Sequence, residues 1–387
     1  MDSSRFTAQA PGRLIAIPED GFAFAPEPLP PKFELTTETA LVLSEADQAL
    51  GELRGLAGHL PNPHLLIGPF ARREAVASSR IEGTETTQKE LVLFEVAKTT
   101  RPEHSDAREV QNYIIALEHG LERLKNLPVS LRLIREIHGK LLRGVRGKEK
   151  RLGEFRDKQN YIGKPGQQIE EARYVPPPVS EMMQALYDFE KYIHAPDHLP
   201  FLIKLAFVHY QFEAIHPFED GNGRVGRLLI PFLLCERKLL PQPLLYLSSY
   251  FEKHRDAYED NLLDVSQVGN WREWVHYFLR GVAVQSRDAV RRAQRLFALW
   301  GRYRERLQSA RSSALLLALV DRLFSQPALT VPVAKKHLKV TYAAAKNNVA
   351  KLVTAGILKE IPGRTYNRVY FAPEILRLIE AEEAEAP

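Results

Sequence analysis

The chain has 387 residues, 44% hydrophobic and 26% charged, a balance that fits a globular protein of roughly two to four domains and excludes a disordered or fibrous chain. One cysteine, Cys235, leaves no intrachain disulfide and points to a reducing, cytoplasmic setting. No apolar run approaches bilayer length, and Met1-Asp2-Ser3-Ser4-Arg5 lacks the grammar of a secretory signal, so a membrane or secreted protein is not expected. The formal charge of +5 is unevenly placed. From Thr330 to Ala372 the chain carries Lys335, Lys336, Lys339, Lys346, Lys351, Lys359, Arg364 and Arg368 against Glu360 alone, a net +7 that leaves −2 elsewhere. A polyanionic partner is expected to meet that C-terminal end.

Residues 1–32 hold Pro11, Pro18, Pro26, Pro28, Pro30 and Pro31. Proline fixes φ and donates no hydrogen bond, so an extended arm is predicted there. From Thr36, apolar residues recur at threes and fours through Ala40–Leu43, Ala46, Leu50, Leu53 and Leu56; a second such stretch, Leu65 to Ile81, stops at Gly83. Residues 33–100 are therefore predicted as a helical N-terminal region. Within a core at 101–285, helices are expected from about Asp106 to Leu124, Ser130 to Arg143, Ser180 to His194 and Leu199 to Ala214. Between them, Gly153 to Pro178 breaks the pattern, with Gly163, Pro165 and Gly166 around the β-like run Gln159-Asn160-Tyr161-Ile162, and reads as a hairpin or flap. After Gly281 a very basic helical stretch, Arg287 to Arg311, is expected to act as a connector at 286–312. The last part, 313–387, predicts helices over Ala314–Phe324, Val331–Leu338 and Thr341–Ala355, then a hairpin of Ile357–Ile361 and Val369–Phe371 joined at Pro362-Gly363-Arg364. This order resembles a winged helix-turn-helix domain.

The chemistry concentrates in His216-Pro217-Phe218-Glu219-Asp220-Gly221-Asn222-Gly223-Arg224-Val225-Gly226-Arg227, which runs into the apolar stretch Leu228–Leu234. Gly-Asn-Gly reaches backbone angles closed to most residues, so successive N–H groups can converge on an anion at the start of a helix, where unsatisfied donors favour negative charge. Arg224 and Arg227 share a helix face, and guanidinium forks match phosphate oxygens. Asp220 is placed to hold Mg²⁺ against a polyphosphate, and His216 is the nearby group whose ordinary pKa suits proton abstraction near neutrality. Each feature alone is more often structural; together, in twelve residues, they describe phosphoryl or nucleotidyl transfer. There is no Gly-x-x-x-x-Gly-Lys-Ser/Thr loop, and Pro196 between His194 and His198 argues against a helical zinc pair. His209, seven residues before His216, reads as a packed residue of its helix.

That stretch matches, position for position, the signature His-x-Phe-x-Asp/Glu-Gly-Asn-Gly-Arg-x-x-Arg of the Fic family, which the chain therefore resembles. Ser78-Ser79-Arg80-Ile81-Glu82-Gly83 is similar to the family's inhibitory motif Ser/Thr-x-x-x-Glu-Gly/Asn. Residues from Leu152 to Leu279 resemble a Fic core, and Asn160, Tyr161, Ile162 and Gly163 its target-docking flap, whose strand edge would pair with an extended segment of a substrate protein.

The resemblance implies a mainly α protein, a Fic-type helical bundle with a small β-hairpin flap plus a C-terminal winged helix, that moves AMP from ATP to a Ser, Thr or Tyr hydroxyl of a target protein or of itself. His216 would be the catalytic base, Asp220 the Mg²⁺ ligand, and Gly221, Asn222 and Gly223 the phosphate cradle. Arg224 and Arg227 would neutralise the leaving phosphates, with Phe218 an apolar anchor. Ser78, Glu82 and Gly83 would form the inhibitory element, Glu82 occupying Arg227 so that ATP sits with its α-phosphate misdirected. Arg255-Asp256-Ala257-Tyr258-Glu259 resembles a family stretch with two adjacent tyrosines near the adenine; Glu259 stands at the second, so only Tyr258 is carried over. Removal of AMP through the same site, and a DNA-binding regulator with a nucleotide-sensing core, are the alternative readings. Family members often dimerise, so a homodimer is among the expectations. For the winged helix, Lys346, Asn347, Asn348 and Lys351 on the recognition helix and Arg364 and Arg368 on the wing are the candidate DNA contacts; protein–protein contact is the other use such a domain has.

Overall fold

The computed structural model describes residues 1–18, 21–58, 64–96, 106–145, 151–163, 166–196, 198–309, 314–362 and 368–381. The proline-rich start is extended, as its φ restriction dictates, but it is not a free arm. Strands β1 (Gly12–Ile17) and β2 (Gly21–Pro26) pair antiparallel, Gly12 opposite Pro26 and Ile17 opposite Gly21. The inward residues Ala23 and Phe24 are fully buried. Phe24 packs on Phe6 and Tyr174, and its N–H donates to Val175 O (2.9 Å). Enough apolar side chains alternate between the prolines to dock a hairpin on the body, which proline content alone did not disclose.

Helices α1 (Thr37–Gly58), α2 (His64–Ile81), α3 (Gln88–Val96), α4 (Asp106–Arg123) and α5 (Leu131–Leu141) follow. α3 went unassigned in the sequence, yet a reciprocal cap announces it: Glu90 Oε2 accepts from Thr87 N–H (2.8 Å) and Thr87 Oγ1 accepts from Glu90 N–H (3.1 Å). α5 starts where expected, Ser130 capping Leu133 N–H. Then come α6 (Val179–His194), α7 (Phe201–Ile215), α8 (Asn222–Glu236), α9 (Ser248–Lys253) and α10 (Arg255–Val268). α7 and α8 are apolar on nearly every side and run through the middle of the molecule, which is why neither shows a one-sided pattern.

The expected basic connector is instead the second half of one continuous helix, α11 (Trp271–Ser309), 39 residues and roughly 58 Å long. Gly281 does not interrupt it. A Cβ there would lie 2.8 Å from the Tyr250 ring, so the glycine permits close packing. Buried residues recur at threes and fours from Trp274 and Phe278 through Val290, Ala293, Leu296, Leu299 and Tyr303 to Leu307.

The C-terminal part runs α12 (Ala314–Ser325), β3 (Ala328–Thr330), α13 (Val331–Leu338), α14 (Tyr342–Thr354), β4 (Lys359–Glu360), β5 (Val369–Phe371) and α15 (Pro373–Glu380), with sheet order β3-β5-β4. Thr330 and Thr341 cap α13 and α14. The turn residues Gly363 and Arg364 lie outside the described residues. This unit is fastened to α2: Arg72 Nη1, its guanidinium also paired with Glu95 of α3 (2.9 Å), donates to Ser325 O (2.6 Å), and a Cβ on Gly68 would meet Ser325 O at 2.4 Å. No described helix is long and apolar enough to cross a membrane.

Candidate active site

α7 ends at His216, whose backbone is left-handed (φ 49°) with its N–H on Phe212 O (3.1 Å). That turn, unusual for a residue with a side chain, swings the following loop back across the bundle. Arg156, fully buried, clamps it twice: its Nε donates to His216 O (3.0 Å) and its N–H to Pro217 O (2.9 Å). A third clamp is Asn222, whose amide closes a ring with Phe218, Oδ1 accepting from Phe218 N–H and Nδ2 donating to Phe218 O, both at 2.8 Å. Phe218 is fully buried and stacks on His138 at 3.8 Å. His138 Nδ1 accepts from Gly153 N–H (2.9 Å), so its Nε2 carries the proton and donates to Asp220 O (3.1 Å). Gly221, at φ 79°, then opens α8. The loop is thus fixed by side chains that leave the N-terminal amides of α8 facing the site.

His216 Nδ1 lies 3.3 Å from Glu213 O. A carbonyl only accepts, so Nδ1 bears the hydrogen and Nε2 is the proton acceptor. Burial lowers the His216 pKa to about 4, leaving a neutral imidazole at pH 7. Glu213 itself is pushed up to about 7 by burial, against the pull of Arg227.

The two arginines, three residues apart, are bound differently. Arg224 reaches Glu109 Oε2 at 3.4 Å and Asp220 Oδ1 at 3.5 Å, long contacts for a buried guanidinium. Arg227 is held closely: Nε donates to Ser78 Oγ (2.9 Å), and Nη2 to Ser78 O (2.9 Å) and Glu82 Oε1 (2.6 Å). Burial works against the Arg227 charge, but Glu82, Tyr258 and Glu213 together outweigh it and keep the guanidinium ionised above its usual range. Burial likewise raises the Glu82 carboxyl, and Arg227 and Arg224 more than reverse this, leaving it below its usual range. The approach needs Gly223, since a Cβ there would stand 2.4 Å from Glu82 Oε1 and 2.8 Å from Arg227 Nη1.

The structure brings Ser78, Glu82, Asp220, Gly221, Asn222, Gly223, Arg224, Arg227 and His216 around one site, and Gly83 (φ 85°) ends the helix that delivers Glu82. Tyr258 is buried beside Arg227, stacked on Phe251 at 4.3 Å, with its hydroxyl on His209 Nε2 (2.8 Å). Ring stacking and that hydrogen bond fix its position next to Arg227, while Glu259 pairs at the surface with Arg173 and Arg255. His209 is the packed residue expected of it, its other nitrogen against Gly226 O (3.2 Å).

Among the described residues of the flap, the hairpin is one antiparallel bridge, Ile162 with Tyr174. Pro176, Pro177 and Pro178 donate no hydrogen bonds, so they limit the pairing on the C-terminal side of Tyr174. Tyr161 and Ile162 are exposed, Asn160 Nδ2 donates to Phe218 O (2.9 Å), and Gly163 packs beside Gln167, while Lys164 and Pro165 lie outside the described residues. On α14, Lys346, Asn347 and Lys351 are exposed on one side with Tyr342, but Asn348 is buried and bonded to Ala344 O (2.9 Å), so it is not available to a partner.

The sequence reading missed His138, Arg156, Glu109 and Glu213 as parts of the site. Their signal is spatial: three come from other elements, and Glu213 lies on the helix just before the motif. Arg224 Nε, Glu213 Oε1 and Asn160 Oδ1 are buried with no hydrogen-bond partner among the described residues. Natively folded chains rarely leave such atoms unsatisfied except where a ligand or water completes them.

Residues 41–122 match the model of the Fic/DOC family N-terminal region and residues 128–234 that of the Fic/DOC family. A fold with this loop and both regions defines a class, and residues 41–122 and 128–234 of the chain are the two regions of the Fic/DOC family. It is similar to a protein adenylyltransferase Fic of Aedes aegypti, 33% identical over 174 residues, which covers 43% of this chain and 31% of that protein. A probable protein adenylyltransferase of Aquifex aeolicus is 30% identical over 102 residues, 26% of this chain and 32% of that one. The chain thus spans about a third of the length of these curated relatives. A crystal structure of a Fic family protein from Desulfovibrio desulfuricans shares the fold, with a TM-score of 0.55 over 89% of this chain and 98% of that chain at 19% identity.

Proposed function

We propose that the chain is an ATP-dependent protein adenylyltransferase, inhibited in cis by Glu82. The observation that carries the reading is His216: hydrogen-bonded at Nδ1 to Glu213 O and neutral, it offers Nε2 as a proton acceptor beside the amide-rich start of α8 and two arginines. A target hydroxyl gives its proton to Nε2, its oxygen bonds to the α-phosphorus of ATP, and the bond from that phosphorus to pyrophosphate breaks. Arg224 and the amides of Asn222 and Gly223 offset the negative charge of the phosphates. Asp220 is the residue that would hold Mg²⁺. No group of three or more ligating side chains gathers among the described residues, which suits a cation held by one carboxylate, water and substrate phosphates. Bound there, Mg²⁺ would supply charge neutralisation of the phosphates. The exposed edge at Tyr161 and Ile162 supports docking of an extended target segment.

The test is transfer of label to protein by the Glu82→Gly variant. Label at the α-phosphate of ATP is expected on protein, and label at the γ-phosphate is not. Adding His216→Ala should lower the rate by about 10²–10⁴, the usual worth of a general base. Transfer of the γ-label, or an unaffected His216→Ala variant, would overturn the reading.

A second role is supported by α14, where Lys346, Asn347, Lys351 and Tyr342 share an exposed side, as a helix entering a DNA groove requires. Duplex binding that weakens steeply with salt supports it; no binding at low ionic strength refutes it.

A further inference from the structure

Both arginines of the motif are reached from the end of α2. Glu82, the first residue past that helix, pairs with Arg227 (2.6 Å). Two residues on, Thr84 Oγ1 donates to Glu109 Oε2 in the first turn of α4 (3.3 Å), and Glu85 N–H donates to Asp106 Oδ2 beside it (3.0 Å). Thr84 is buried and its own N–H closes on Ser79 O (3.0 Å), so the end of α2 fixes where its hydroxyl points. The oxygen it meets, Glu109 Oε2, is the one that faces Arg224 Nη1 at 3.4 Å.

Arg224 is buried, and a buried guanidinium without a counter-charge is costly. Glu109 and Asp220 (3.5 Å) supply that charge. Both contacts are long, since charge-assisted hydrogen bonds run at about 2.7–2.9 Å. Arg224 Nε is buried with no hydrogen-bond partner among the described residues. The guanidinium is thus compensated in charge but not filled in hydrogen bonds, so phosphate oxygens can take it from the carboxylates. Asp220 would turn to Mg²⁺ when ATP binds. Glu109, on another helix, would stay beside the phosphates as a like charge.

We propose that Glu109 is a positioning residue acting through Arg224: it keeps the guanidinium compensated and in place until nucleotide arrives, then opposes the phosphates for it, so that ATP binds more weakly than the motif alone would allow. Thr84 holds Glu109 there. The end of α2 that sets Glu82 on Arg227 therefore also sets a second carboxylate on Arg224. The proposal rests on reading the start of α8 as the ATP site.

The test is calorimetric titration of ATP and of AMP, without added metal, into the full-length Glu82→Gly chain and into the same chain carrying Glu109→Gln, which keeps the shape and removes the charge. AMP lacks the two phosphates that Arg224 would meet. Loss of the like charge should therefore tighten ATP by about fivefold or more and AMP by less than about twofold. Glu109→Ala removes the same charge and should raise the ratio of the two affinities likewise. A general loosening of the fold would instead move both ligands alike. Thr84→Val should tighten ATP by a smaller factor, and Thr84→Ser, which keeps the hydroxyl, should not. An unchanged ratio, or weaker ATP binding, in both Glu109 variants overturns the role of Glu109, and a Thr84→Val chain equal to its parent overturns that of Thr84. ATP that binds neither parent nor variant overturns the reading of the site and this proposal with it, whereas ATP binding with an unchanged ratio overturns the proposal alone.

Discussion

On its inner face α2 meets α8 through three contacts of 2.6–2.9 Å, in which Ser78 and Glu82 hold a buried Arg227. On its outer face the same helix borders a cavity, and its Arg80 makes a partly exposed ion pair of 3.4 Å with Glu252. One helix is thus fastened closely toward the site and loosely away from it. A buried charge that loses its partner is costly, whereas an exposed pair is worth about 0–1 kcal/mol. The inner contacts therefore decide where α2 sits, and the loose outer side leaves room for it to be displaced or braced.

The sharpest way to break this comparison is at Arg227. Arg227→Ala removes the guanidinium that Glu82 occupies, so the gain from Glu82→Gly should vanish in that background. In a double-mutant cycle of transfer rates, additive effects would contradict the pairing. Next comes Ser78→Ala, which strips a hydrogen bond from a buried charged donor. A loss of about 1–3 kcal/mol is expected, seen as a lower melting temperature, with basal transfer raised a few-fold.

A smaller effect distinguishes Glu213. With its pKa held at about 7, above the ordinary 4.5, the folded state keeps a proton that the unfolded state releases. Between those values the folded state binds more protons, so this residue's contribution to stability falls as pH rises through the window. Glu213→Gln should therefore lose less melting temperature than wild type between pH 5 and pH 7.5; parallel curves would contradict the assignment. The smallest effect belongs to the outer face, where Arg80→Ala should change basal transfer less than twofold and stability by about 0–1 kcal/mol, both measured beside Ser78→Ala.

Much of this site is legible in the chain because its parts are contiguous. Twelve residues from His216 to Arg227 form a turn and the start of a helix, so their spacing already puts base, carboxylate, amides and arginines together. Ser78 and Glu82 are also readable, four apart on one helix face. What sequence spacing does not carry is the support: Arg156 reaches the loop from 60 residues away and His138 from 82. Tyr258 is built into the core by Phe251 and His209 while still standing beside Arg227, a double placement that sequence company alone does not disclose. Likewise the basic run from Arg287 reads as a connector when charge is counted, and as the continuation of α11 when the buried positions are followed across Gly281.

The account turns on whether the Glu82 carboxylate restrains an otherwise complete site. The most direct measurement is the initial rate of α-phosphate label transfer from ATP to protein by wild type and by Glu82→Gly, side by side. The account predicts a rate at least tenfold higher for the variant; equal rates, or a slower variant, would contradict it.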